Sequence, residues 1–354
     1  VTGAPCEIGW FSALCDDDYE FLGVPDTSLQ SSFAHCRNIV LTAEHAGIDN
    51  ILLPSGYALG IDTLAFAAGM APLTSRIKLL AAIRCGEMWV PQQARQLATL
   101  DHMLGGRLSI NIISSDMPGE TLASAPRYRR TLEAMTILRD LLDGKPVDFH
   151  GDFYKLTVQP PRIRTVSGRA PLFYFGGLSE PARDAAAQQA DVFLMWPERM
   201  HAVRDIISDM RTRAAHYGRM LRFGYRVHII VRETEAEARA AAARLVSRLD
   251  DKVGAAIRGK SLDTQSLSVG KQNELRDSAD ADGYAEANLW TGIGRGRSGC
   301  GAAIVGDPDQ VLAKLHEYCA AGIDAFILSG YPHATECDLF ARHVLPRLDH
   351  AVLG

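Results

Sequence analysis

The sequence predicts an α/β fold, and within that class a closed (β/α)8 TIM barrel with insertions, on three observations. Strand-length apolar runs alternate with helical runs along the chain, eight such strand runs can be counted, and no linker-like break interrupts them over residues 1–354. The runs are continuously apolar, which marks parallel strands buried on both faces. An open doubly wound sheet is the alternative architecture. At 354 residues and 47% hydrophobic the chain has the apolar material for one large core, and the unbroken pattern favours one domain.

The elements follow in order. Ile8–Ser12 reads as the first strand, and the polar Asp16–Asp18 that follows opens a long loop. From Leu29 the apolar residues Phe33, Cys36, Val40 and Ala43 recur at helical spacing, and Gly47 stands where a left-handed residue would end the helix. Strand Ile51–Leu53, helix Asp62–Met70, strand Ile77–Ile83, a helix opened by Pro91 and closed by Gly105, and strand Leu108–Ile113 continue the alternation. Helix Tyr128–Leu142 carries Leu132, Met135, Leu138 and Leu142 on one stripe, and Val147–Leu156 reads as a decorating hairpin. Strand Leu172–Phe175, helix Pro181–Ala190, strand Val192–Met195, a helix from His201 to Tyr217 and strand Phe223–Val231 come next. Thr234 and Glu237 form a capping box before an Ala-rich helix running to Asp251. The polar stretch Lys252–Gly301 is too long for an ordinary connection and is expected to be a mobile lid or insertion. Asp307-Pro308 then caps a helix to Gly322, and Ala325–Leu328 is the eighth strand, before a C-terminal helix.

Composition removes several functions. The net charge is −5, from 42 acids and 37 bases spread along the chain, so there is no basic footprint for nucleic acid or an anionic membrane. No apolar stretch approaches the ~20 residues that span a bilayer, and the N-terminus lacks a basic-then-apolar leader, so a cytoplasmic location is expected. Seven cysteines without a CxxC pair argue for a reducing compartment and against a zinc or redox motif. No HExxH, GxSxG or metal-spaced cluster is present.

In a barrel the site lies at the C-terminal ends of the strands. The residues there are Arg84 and Cys85 after the third strand, Asn111, Ser114, Ser115 and Asp116 on and after the fourth, Gly176-Gly177-Leu178-Ser179 after the fifth, Trp196 after the sixth, and Ser329 to His333 after the eighth. On the seventh strand, alternation turns Gly224, Arg226, His228 and Ile230 inward and leaves Tyr225, Val227, Ile229 and Val231 facing the helices. An inward guanidinium is costly unless an anion meets it, and no strand-interior acid is evident, so an anionic ligand is expected there, an internal ion pair being the alternative. The glycines of Phe175–Glu180 would admit a phosphate to a helix N-terminus, or simply make a tight turn. Gly294–Gly299 spells G-x-G-x-x-G but follows no strand, which leaves two uses: an arginine-bearing lid or a solvated loop.

These stretches together resemble the bacterial-luciferase-like flavin monooxygenases, closest to the two-component FMNH2-dependent alkanesulfonate monooxygenases. The similarity covers nearly the whole chain. It is carried by Arg95–Asp101, Phe175–Glu180, Phe223–His228 with Ile230–Thr234, Asn288-Leu289-Trp290 and Leu328–His333. The resemblance implies a TIM barrel that receives reduced FMN from a separate NAD(P)H:FMN reductase and uses O2 as co-substrate. It also implies a flavin peroxide that cleaves the C–S bond of an organosulfonate to sulfite and an aldehyde. Arg226, His228, Arg297 and Tyr331 match positions for sulfonate binding or proton transfer, and Trp196 matches an aromatic wall beside the isoalloxazine. Tyr128, Gly176, Gly177 and Ser179 match the phosphate-binding region, and Asn111 and Ser114 lie where the ring system is touched. Kinship also implies a homodimer or homotetramer.

The chain departs from the alkanesulfonate pattern at two loops. Gly56–Asp62 stands where that pattern has Gly-Arg-Ser-Cys-Glu-Asp, and Ala13–Asp16 replaces Pro-Thr-His-Gly. Both lie at the expected pocket mouth, so the substrate beyond its oxyanion is left open among methanesulfonate, a sulfone, a bulkier sulfonate and a molecule without sulfur. Two rivals share the barrel: an F420-dependent oxidoreductase and a non-catalytic flavin-binding protein.

Overall fold

The computed structural model describes residues 5–259, 266–297 and 299–354. In chain order the strands are β1 (Glu7–Phe11), β2 (Asn50–Leu53), β3 (Lys78–Arg84), β4 (Leu108–Ile113), β5 (Val147–His150), β6 (Lys155–Val158), β7 (Phe173–Phe175), β8 (Val192–Met195), β9 (Arg222–Val231), β10 (Tyr284–Glu286), β11 (Leu289–Trp290), β12 (Ala303–Gly306) and β13 (Ala325–Ser329). The helices are α1 (Phe33–Ala46), α2 (Thr63–Met70), α3 (Val90–Met103), α4 (Ser124–Leu142), α5 (Glu180–Gln189), α6 (Met200–His216), α7 (Glu235–Val246), α8 (Asp251–Gly259), α9 (Leu267–Asp277), α10 (Pro308–Ala321) and α11 (His333–His343).

Strands β1, β2, β3, β4, β7, β8, β9 and β13 pair in that order, every pair parallel, and β13 returns to β1. The sheet therefore closes into an eight-stranded parallel barrel, as the alternation predicted. Local chemistry sets the boundaries. Ser32 caps α1 through the His35 N–H, so that helix starts later than the apolar spacing suggested, and Gly47 ends it at φ 88°. Asp62 caps α2, and the capping boxes of α7 and α10 both form. The Ala-rich helix stops at Val246 because the Asp250 carboxylate takes the N–H groups of Lys252 and Val253 and starts α8.

Packing fills two layers. Outward residues such as Ile8, Trp10, Ile51, Leu79, Ile110, Tyr225, Val227 and Ile229 meet the helices, while Phe11, Leu52, Leu80, Tyr174, Val192, Ala325 and Ile327 occupy the barrel interior. The N-terminal end of the barrel is plugged by Glu7. Its carboxyl accepts from Asn50 at 3.0 Å, Tyr174 at 2.5 Å and the Leu353 N–H at 2.9 Å, and burial pushes its pKa up.

The stretch Lys252–Gly301, expected as a lid or an insertion carrying irregular helix, holds most of α8, all of α9 and also the strands β10 and β11, and a further strand, β12, follows it. Strand β9 explains their position. Its first half, Arg222–Tyr225, pairs with β8, and its second half, His228–Val231, runs beyond β8 and pairs with β12. β12 in turn carries the antiparallel β11 and β10. The small sheet thus continues the barrel wall on the side where the site is expected. Residues 260–265 of the expected lid and Ser298 of the arginine loop lie outside the described residues.

Candidate active site

At the C-terminal end of the barrel a cleft is lined by Asn111, Ser114, Tyr128, Gly176, Gly177 and Trp196, six of the residues singled out in the sequence. A Cβ on Gly176 would fall 1.9 Å from the Leu194 carbonyl oxygen, and one on Gly177 would lie 2.7 Å from the Ala182 Cβ and 3.2 Å from the Tyr128 hydroxyl. Glycine is required there to let strand, helix and any guest approach. Ser179 stands just outside the lining and is spent as the cap of α5, its Oγ accepting from the Ala182 N–H at 3.4 Å. Ser114 and Thr131 share a hydroxyl–hydroxyl bond of 2.7 Å. The Trp196 indole packs edgewise on Gly299, whose Cβ would meet it at 3.2 Å.

Gln272 and Glu198 are among the lining residues that were not singled out in the sequence. Gln272 of α9 donates to the Pro197 carbonyl at 2.7 Å and accepts from the Gly301 N–H at 3.1 Å, tying the insertion to the end of β8. Glu198 also faces the cleft. Burial raises its pKa to about 7, Lys271 and Arg199 offsetting this only in part.

Beyond Gly299 lies a second constellation, where Arg226, His228, Arg297 and Tyr331 come together. Arg226 stacks on Phe11 at 4.3 Å from the ring centre, and Arg297 lies 5.4 Å from the same ring. Arg226 is only 3% exposed. It donates to the Val227 and Ile327 carbonyls at 3.2 and 3.4 Å, and its second terminal nitrogen has no partner. His228 shares a bond of 2.7 Å with the Ser329 hydroxyl through Nδ1, its Nε2 is unpartnered, and its ring lies 5.1 Å from that of Tyr331. Arg297 donates to both the Asp17 carboxylate and the Tyr331 hydroxyl.

The acid of this cluster comes from a loop and not from a strand: Asp17, after β1, pairs with Arg297, and its other oxygen, Oδ1, is buried without a partner. Arg226 has no carboxylate partner among the described residues. The same loop supplies Asp18, which accepts from the His333 N–H at 3.0 Å and meets His35 at 2.8 Å.

Electrostatics follow from burial. Desolvation, reinforced by Arg226 and Arg297, holds the His228 pKa well below its ordinary value. Burial raises the Tyr331 hydroxyl despite Arg297. For Arg297 burial opposes the charge, but Tyr331 and Asp17 overcome it and keep the guanidinium firmly protonated. The result is two guanidiniums, one carboxylate, a neutral imidazole and a protonated phenol around one point. Buried polar atoms without partners cost free energy unless a ligand meets them, and Arg226, Arg297 and His228 each present a buried nitrogen of this kind. Such a cluster can grip an oxyanion and move a proton beside it.

Elsewhere at this end Arg84 joins three loops through Glu87, the Asp116 carbonyl and the Ser55 carbonyl. Among the described residues no group of three or more His, Cys, Asp or Glu side chains is placed to hold a metal, and no helix is long and apolar enough to cross a membrane.

The chain is similar to known proteins along nearly its whole length. The chain is 66% identical to the sulfoquinovose monooxygenase of Novosphingobium aromaticivorans (strain ATCC 700278 / DSM 12444 / CCUG 56034 / CIP 105152 / NBRC 16084 / F199) over 99% of this chain and 98% of that one. It is 53% identical to the sulfoquinovose monooxygenase of Agrobacterium fabrum (strain C58 / ATCC 33970), over 97% and 89%. Among solved structures it superposes on a riboflavin lyase, crystallised with modified FMN and riboflavin, with a TM-score of 0.78 at 17% identity, covering 97% of this chain and 91% of that one. The signature described as "Luciferase-like monooxygenase" matches residues 21–325, and the chain belongs to the luciferase-like monooxygenase family.

Proposed function

We propose that this monooxygenase cleaves the C–S bond of sulfoquinovose, a sugar sulfonate, using FMN reduced by a separate NAD(P)H:FMN reductase. The observation that carries the reading is the Arg226–His228 pair, buried on one strand without a carboxylate and with unpartnered nitrogens on both side chains. The 66% and 53% identical relatives supply the substrate. They also fit the departure from the alkanesulfonate pattern after the first strand, because Asp17, with one buried oxygen that has no partner, directly follows Ala13–Asp16.

The cleft fits a flavin on its own evidence: Gly177 leaves space that a Cβ would fill, and Trp196 offers an aromatic wall. Gly176, Gly177 and the start of α5 capped by Ser179 would hold the phosphate end, with Tyr128 beside them, and Asn111, Ser114 and Trp196 would flank the ring. Reduced FMN would supply the two electrons with which O2 places one oxygen on the sulfonate-bearing carbon and leaves the other as water. The sum balances as R–CH2–SO3⁻, FMNH2 and O2 giving R–CHO, HSO3⁻, FMN and H2O.

The protein's share is binding and proton handling. Arg226 and Arg297 grip the sulfonate oxygens in a site closed to water, where their bonds are strongest. His228, neutral at pH 7, can accept a proton at Nε2 in the tautomer whose Nδ1–H donates to Ser329. Tyr331, kept protonated by burial, is a donor held by Arg297. The described residues of the insertion would act as the cover, Arg297 reaching the cluster and Gly299 lying beside Trp196.

The test supplies the protein with FMN, a flavin reductase, NAD(P)H and air, and measures sulfite from sulfoquinovose, straight-chain sulfonates and a sulfone. Sulfite in proportion to the sugar sulfonate consumed is expected. Turnover without O2 on reduced F420, or sulfite from none of the sulfonates, overturns the assignment.

A further inference from the structure

The Glu198 carboxyl is the feature of the cleft that the proposed chemistry leaves unused. It stands two residues after the Trp196 wall and lines the same cavity, whose lining also holds Leu194, Ile206, Ser266, Ser268 and Gln272. Its backbone is fixed, the N–H donating to the Tyr225 hydroxyl at 3.3 Å. Among the described residues its carboxyl makes no hydrogen bond and no ion pair.

The cations nearby are committed elsewhere. Lys271 of α9 is bound to Glu274 at 2.6 Å, and Arg199 to the carbonyls of Ala285 and Ser278. Arg127, on the α4 side of the cleft, pairs with Asp116 at 3.3 Å. Tyr225 beneath it is held protonated by burial and its bond with Tyr318, and Gln272 is engaged at both ends of its amide. A half-buried carboxyl with no hydrogen-bond donor is disposed to carry a proton, and burial, with the charge of Glu274 added, already pushes its pKa up to about 7 against Lys271 and Arg199. A flat aromatic guest would strip the remaining water and disfavour the charged form further.

We propose that Glu198 is a cofactor-binding residue that takes up a proton when the reduced flavin enters and donates it as a hydrogen bond to an acceptor on the ring. This rests on the reading of the cleft as the flavin site. Uptake is favoured because reduced flavin carries negative charge near neutral pH, beside which an ionised carboxylate would be repelled. The complex then holds more protons than its separated parts, so affinity falls as pH rises above about 7, with a limit of about tenfold per pH unit for one proton.

The experiment is anaerobic titration of the protein with photoreduced FMN, and with photoreduced riboflavin, which lacks the titrating phosphate, from pH 6 to 9, following tryptophan fluorescence. The proposal expects the wild-type dissociation constant for both ligands to rise at least about fivefold between pH 6.5 and 8.5. In Glu198→Gln, a permanent neutral donor, the riboflavin curve should flatten while low-pH affinity is kept, and Glu198→Asp should keep a pH slope. Thermal melts check that both variants are folded. Binding with the same slope in Glu198→Gln as in wild type overturns the proton role and leaves the flavin site standing. Absence of flavin binding by the wild type at every pH overturns both.

Discussion

Replacing Arg226 by methionine separates holding the fold from holding the substrate. The guanidinium is buried and has two bonds, to backbone carbonyls at 3.2 and 3.4 Å, which are long for such contacts. It gains about 1–2 kcal/mol from stacking on Phe11, while desolvating a charge without a counterion costs several kcal/mol. Methionine fills a similar volume and stacks on the same ring. Arg226→Met is therefore expected to leave the ligand-free protein as stable or more so, the melting temperature unchanged or raised by about 1–5 °C. Binding should behave oppositely. Two charge-assisted bonds to a sulfonate at about 1.5–3 kcal/mol each amount to roughly 10²–10⁴-fold in kcat/KM. Paired melting curves and sulfite-release kinetics read both quantities. A variant destabilised by more than about 2 kcal/mol, or one retaining kcat/KM within a few-fold of wild type, would refute the assignment of this arginine to the substrate.

Two further outcomes are expected. Gly177→Ala would set a methyl 2.7 Å from the Ala182 Cβ and 3.2 Å from the Tyr128 hydroxyl, costing about 1–3 kcal/mol. It should weaken flavin binding at least about tenfold by closing the cradle, and equilibrium titration with FMN would show it, unchanged affinity arguing against that cradle. The pH dependence of stability should reveal His228. Because burial holds its folded pKa well below the ordinary 6.5, the unfolded chain binds the extra proton as pH falls through 6.5. Its contribution is whole above that pH and is lost below it. Urea midpoints of His228→Gln should thus gain on wild type between pH 6.5 and 5.5 by up to about 1.4 kcal/mol, and parallel curves would show that the imidazole is not buried in its neutral form.

The barrel was legible because every strand that closes it is covered on both faces, which leaves the short apolar runs at Ile51, Leu108, Val192 and Ala325 standing clear of polar turns. Helix boundaries were readable where a side chain does the capping, at Asp62, Thr234 with Glu237, and Asp307. The insertion was not: α8 and α9 are polar, and β12 is a four-residue strand after glycine whose partner is the far half of β9. The basic cluster followed from period-two alternation along β9. Its acid did not, since Asp17 and Arg297 are 280 residues apart in sequence and no local spacing reports a loop that folds across the barrel mouth. Glu198 carried no signal either, because a single acid after Trp-Pro becomes notable only when its place in the cleft is seen.

The doubled role of β9 bears on how such proteins diversify. Arg226 and His228 sit on a strand laced to β13 on one flank and to β8 or β12 on the other, so their backbone is fixed like an anvil. Arg297 follows instead the short helical turn Gly292–Arg295 in the connection between β11 and β12. New substrate preferences can accordingly be tried by exchanging the clasp and the β1 and β2 loops, with the anvil and the anion grip proposed for it inherited unchanged.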